Sequence, residues 1–206
     1  LASLNRVAWY LVPLTLLLAA GITYRQAGFG KHYLMARSAY LGKDYRTTLL
    51  ESERALSYGP FDPQAFLMRG KGLQAAGRVP EALQNNRNAL EAYHPNSPEL
   101  LGDLGTYYAM LDSLDQAEAC FRRVLELSPD LAGMNNNLGG IYYKRGDYTK
   151  AIDQFKMAMG QGHQNFDARN NLGLAYIATG RMDEAIGCYI EALDKVPGDP
   201  ALLHNL

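Results

Sequence analysis

Asp103, Asn137 and Asn171 stand 34 residues apart, and Asn205 falls at the next interval. An asparagine amide donates through its NH2 and accepts through its carbonyl, so it pairs with a peptide bond whatever side chain that residue carries. A row of such groups suits an extended chain held by its backbone. Asn136, Tyr143 and Lys144 beside Asn137, and Asn170 and Leu174 beside Asn171, add further amides, a ring, a cation and an apolar contact. These nine residues are the candidate peptide-binding set. Tyr33, Arg37, Tyr40, Leu67, Lys71 and Gln74 extend the same kind of surface upstream.

Catalytic and metal chemistry find no comparable pattern. His32, His94, His163 and His204 have no metal-ligand spacing to one another or to Cys120 and Cys188. Gly139-Gly140 and Gly160-Gln161-Gly162 do not follow a strand, as a phosphate-binding loop requires. Carboxylates are spread singly, and no nucleophile, base and orienter form a set. The expectation is a chain without catalytic residues, cofactor or metal. Lys and Arg number 20 against 21 Asp and Glu, a net charge of -1, so there is no broad basic field for nucleic acid. The two cysteines occupy equivalent places in non-adjacent intervals. A disulfide needs Cα atoms within about 7 Å, so both are read as packing residues.

The elements that position the amides are read from the same period. Leu104-Gly105, Leu138-Gly139 and Leu172-Gly173 recur every 34 residues. Tyr108, Tyr142 and Tyr176 keep the interval, as do Ala117, Ala151 and Ala185, and then Phe121, Phe155 and Tyr189. Pro129 and Pro197 close two intervals, with His163 between them. The small residues let two helices approach closely, and the aromatic series fills space between consecutive hairpins. Gly146 and Gly180 sit where a helix ends in a left-handed cap. Pro129 and Pro197 cannot continue a helix and set the following turn.

These columns resemble the tetratricopeptide repeat family, whose unit is a pair of antiparallel helices. Gly70, Leu73, Gly77, Ala82, Ala89 and Pro95 carry a weaker copy, and Ala36, Ala39, Ala55 and Pro60 a degenerate one in which Thr48 and Ser52 depart from the pattern. The resemblance implies an all-α, right-handed superhelical solenoid with units over 29–62, 63–97, 98–131, 132–165 and 166–199, and residues 200–206 opening a truncated one. In this family the first helix of each hairpin lines a concave groove. There the residues Asp103, Asn137, Asn171 and Asn205 resemble asparagine ladders that hold peptides by their backbone.

Residues 7–24 contain no charge and are flanked by Arg6 and Arg25, with Trp9, Tyr10 and Tyr24 near the ends. Eighteen helical residues span roughly 27 Å, close to a hydrocarbon layer of about 30 Å. Residues 1–28 are therefore expected to form a transmembrane or signal-anchor helix, with a cleaved signal peptide as the competing reading. Arg25, Lys31, Arg37 and Lys43 follow the span, which places the repeats on the cytoplasmic side, with a periplasmic or extracytoplasmic placement as the alternative.

The expected function is a membrane-anchored scaffold, of bacterial type, that binds a protein or peptide partner in its groove. A second reading takes the chain as part of a polytopic enzyme. The apolar stretch followed by KHYLMARSAYLGKDY and repeats resembles the tails of bacterial O-antigen ligases or polymerases. A third is self-association through an open end of the array. Both ends look cut, so the chain is expected to be a piece of a longer protein.

Overall fold

The computed structural model describes residues 2–131, 133–160 and 166–193, with backbone alone for residues 2–19 and 166. All described elements are helical: α1 Ala2–Leu41, α2 Tyr45–Tyr58, α3 Pro63–Ala75, α4 Val79–Ala92, α5 Pro98–Met110, α6 Leu114–Leu127, α7 Met134–Lys144, α8 Tyr148–Gly160, α9 Phe166–Ala178 and α10 Met182–Leu193. The chain divides into two compact units, Leu1–Pro95 and Asn96–Leu206. Within each, successive helices pack as antiparallel hairpins.

The helix starts follow from local chemistry. Asp62 and Ser97 accept hydrogen bonds from the first turns of α3 and α5, and Pro63 and Pro98 follow them where no N–H is needed. Asp44 Oδ1 caps α2 by accepting from Thr47 N at 3.1 Å.

The first helix of each hairpin ends in the same six-to-one bond. Ser113 N reaches Tyr108 O at 2.9 Å, Asp147 N reaches Tyr142 O at 3.0 Å, and Arg181 N reaches Tyr176 O at 2.9 Å. Gly146 and Gly180 take the left-handed conformation this turn demands, with φ of 77° and 75°. Asp112 holds the same conformation at φ 58° despite its Cβ. Asp112→Gly is therefore expected to raise stability by about 1 kcal/mol, measured as a higher urea midpoint at unchanged slope.

In the C-terminal unit the core comprises the repeating columns, with Phe121, Phe155 and Tyr189 each about 1% exposed. Each ring lies against the glycine of its own hairpin, within a core cluster that continues into the next hairpin. A Cβ at Gly105, Gly139 or Gly173 would stand 2.7, 2.5 or 2.6 Å from the nearest ring carbon of Phe121, Phe155 or Tyr189. The join between hairpins is polar at α6 and α7. Tyr142 donates its hydroxyl hydrogen to Glu118 at 2.9 Å and accepts from Arg122 at 2.8 Å, while Arg145 pairs with Glu118 and Asp115.

In the N-terminal unit, the departures Thr48 and Ser52 are buried, with their hydroxyls bonded to the carbonyls of Asp44 and Leu49. Beside them Glu51 is buried at 2% exposure and accepts from His32 Nδ1 at 2.6 Å and Arg54 Nη1 at 2.7 Å. The bond from His32 and the charge of Arg54 outweigh burial and hold the Glu51 carboxyl below the ordinary carboxylate range. A folded pKa below the unfolded one means stability that is complete above the unfolded value and lost as pH falls through the folded one. Glu51→Gln is expected to lower the thermal midpoint at neutral pH and to make it less sensitive to acidification through the carboxylate range.

The expected transmembrane-type helix is corrected. Residues 7–24 are part of α1, one 40-residue helix that runs on into the first hairpin. Among the described residues no helix is long and apolar enough to cross a membrane. Residues 20–24 are exposed, and the Tyr24 ring makes one edge contact, 5.9 Å from the ring of Tyr58 on α2. The side chains of residues 7–19 lie outside the described set. The expected membrane anchoring, and the sidedness read from Arg25 to Lys43, therefore have no support in the structure.

Candidate peptide-binding groove

The candidate residues of the C-terminal unit sit on α5, α7 and α9, the first helices of successive hairpins. Helical spacing puts Asn136, Asn137, Gly140, Tyr143 and Lys144 along one side of α7. Asn136, Asn137, Gly140 and Lys144, with Thr106 and Ala109 of α5 and Asn171 of α9, line a recess of about 240 Å³ whose floor includes Phe121. Gly140 and Asn171 also line a second recess of about 70 Å³, completed by Tyr143, Leu174 and Phe155. The two openings share those residues and so form one stepped groove.

The amides are not equal rungs. Asn171 Nδ2 donates to Asn136 Oδ1 at 3.0 Å, joining neighbouring hairpins one position out of the 34-residue register. The Asn136 NH2 and the Asn171 carbonyl take no part in that bond, and both residues are half-buried, as is Asn137. A donor and an acceptor next to each other match the alternating groups of an extended backbone. Lys144 Nζ donates to Ala109 O at 3.2 Å, near the carbonyl end of α5, where a cation complements the helix dipole.

Asp103 is half-buried on α5 and lines neither recess, and Asn170 on α9 also stays outside both. Asn205 lies outside the described residues. Upstream, Leu67 is 7% exposed and belongs to the core of its own unit. Sequence reasoning missed Thr106 and the floor rings Phe121 and Phe155. Thr106 shares a 34-residue column with Gly140 and Leu174, so the signal was present. The rings form the buried base beneath the groove, seated against Gly105 and Gly139.

Other chemistry is sparse. Among the described residues no group of three or more His, Cys, Asp or Glu is placed to hold a metal ion. Cys120 and Cys188 are half-buried and unpaired by disulfide. Burial pushes the Cys120 thiol up to about 11, so it stays protonated and unreactive at neutral pH.

Two tetratricopeptide repeat family models match, one over residues 67–132 and the other over 130–194. The chain belongs to the tetratricopeptide repeat family. A curated relative, human Tetratricopeptide repeat protein 13, is 29% identical over 134 residues. That match takes in 65% of this chain but only 15% of the relative's length. Among solved structures, a thermophilic tetratricopeptide repeat protein of Thermus thermophilus aligns with a TM-score of 0.73 at 24% identity, covering 85% of this chain and 95% of that one. YrrB, described as a tetratricopeptide repeat protein with an unusual peptide-binding site, aligns with a TM-score of 0.65 at 21% identity, covering 84% and 89%. At these identities the structures show a shared repeat fold. The matches do not support the second resemblance, to O-antigen ligase or polymerase tails.

Proposed function

We propose that this repeat chain holds an extended segment of a partner protein in the groove across α5, α7 and α9. Asn136, Asn137 and Asn171 bond its backbone, and Tyr143 and Leu174 receive a side chain in the smaller recess. The observation that carries the reading is the Asn171–Asn136 bond, because it fixes two amides on the groove surface while leaving a donor and an acceptor available. Fixing them beforehand lowers the conformational entropy lost on binding. The half-buried Ala109, Tyr143 and Leu174 add apolar contact without needing a particular partner side chain. The YrrB structure belongs to a protein with a peptide-binding site, which makes the fold compatible with this role.

The test is a selection of random unstructured peptides on the full chain, followed by affinities for the chain carrying both Asn136→Ala and Asn171→Ala. Loss of affinity at preserved thermal stability supports the groove. Full retention by every recovered peptide overturns it.

A further inference from the structure

The hairpin of α3 and α4 lacks a ring that the hairpins of the C-terminal unit possess. Tyr142 on α7 and Tyr176 on α9 hold the same repeat position, both buried. Cations face each ring: Lys150 Nζ stands 5.5 Å from the centre of Tyr142, and the Arg181 guanidinium lies 4.4 Å from that of Tyr176. On α3 the matching residue is Leu73. Arg78 precedes α4 as Arg181 precedes α10, and each is paired with the glutamate three residues on, Arg78–Glu81 at 2.5 Å and Arg181–Glu184 at 2.7 Å. Arg78 thus repeats the setting of Arg181 with no tyrosine beneath it.

Where the ring would be, there is a recess of about 320 Å³ between α2, α3 and the start of α4. Its apolar lining is Leu49, Leu50 and Leu73, with Leu50 48% exposed. Three guanidiniums, from Arg46, Arg69 and Arg78, stand against two carboxylates, Glu53 in the lining and Glu81 beside Arg78. Arg69 is held by Glu53 at 3.0 Å and Arg78 by Glu81, while Arg46 has no ion pair among the described residues.

We propose that this recess receives an aromatic side chain from an acidic segment of a partner protein. The ring takes the place that Tyr176 has in its own hairpin, and the Arg78 guanidinium covers its face. Arg46 pairs with a carboxylate beside the ring, the excess of guanidiniums favouring an acidic segment over a basic one. The site lies in the N-terminal unit and does not depend on the Asn136–Asn171 groove.

The probe is the pentapeptide acetyl-EEYEE-amide, titrated into the full chain and followed by the methyl resonances of Leu49, Leu50 and Leu73. The expected result is a saturable shift of those methyls, with acetyl-EEAEE-amide binding about tenfold more weakly. Leu73→Tyr places the ring in cis and is expected to abolish binding while keeping the fold. Should that variant not fold, Arg46→Glu with Arg78→Glu, both at exposed side chains, decides the matter by losing the shift. No saturable shift at millimolar peptide, equal binding of the alanine peptide, or unchanged binding by the folded variants overturns the proposal.

Discussion

Phe155→Ala is expected to cost about 3–5 kcal/mol of folding free energy, the range for removing a buried aromatic side chain and leaving a cavity. Phe155 is 1% exposed, and its ring lies over Gly139 of the same hairpin. The pair has a sharper consequence than either residue alone. Gly139→Ala in the intact chain sets a Cβ 2.5 Å from the ring carbon, so the ring or the helix must shift. Such overpacking costs about 1–3 kcal/mol. In the Phe155→Ala background the obstruction is gone, and alanine is a better helix former than glycine by about 1 kcal/mol. The same substitution should therefore change sign, stabilising the cavity-bearing variant. Urea unfolding of the four chains in this double-mutant cycle checks it. Additive free energies would show that the ring does not occupy the space left by Gly139.

The second large effect concerns binding. Asn136→Ala together with Asn171→Ala removes the amide donor and acceptor that flank the shared part of the two recesses, and removes their bond to each other. Each lost backbone bond is worth about 1 kcal/mol net. Two such losses correspond to roughly thirtyfold in affinity. The single variant Asn171→Ala should lose more than its own share, because Asn136 then has no partner to hold its rotamer. Isothermal titration with a selected peptide measures both. Thermal unfolding of the same variants separates lost contact from lost fold.

The repeat fold was legible because its determinants are steric and recur in register. A glycine that must admit a ring, and a tyrosine that must fill a gap, leave the same letters every 34 residues. Asp112 shows where that reading stops. The turn it occupies needs a left-handed residue as much as Gly146 does, yet aspartate tolerates it and the glycine signal disappears. The apolar stretch at residues 7–24 misled for another reason. Hydropathy reports what a segment could be buried in, whereas this one belongs to a 40-residue helix that runs on into the first hairpin, with its described residues 20–24 exposed. Within the groove, the sequence placed amides on the right helices but could not pair them. The register suggests Asn137 opposite Asn171, whereas the structure bonds Asn171 to Asn136, a choice made by how neighbouring helices are offset. The recess beside Leu73 was hidden because it arises from an absent ring. It becomes visible only beside the filled positions at Tyr142 and Tyr176.

The measurement that bears most directly on the groove is site-specific photo-cross-linking in cells that make the protein. A photoreactive phenylalanine analogue replaces Gly140, which both recesses share, or Gly187 on α10, which lines neither. A Cβ at either glycine meets nothing within 4 Å, so both replacements start from open space. The account predicts a cross-linked polypeptide from position 140 that disappears with Asn136→Ala and Asn171→Ala, and none from position 187. Equal adducts from both positions, or none from position 140 in the presence of a bound partner, would contradict it.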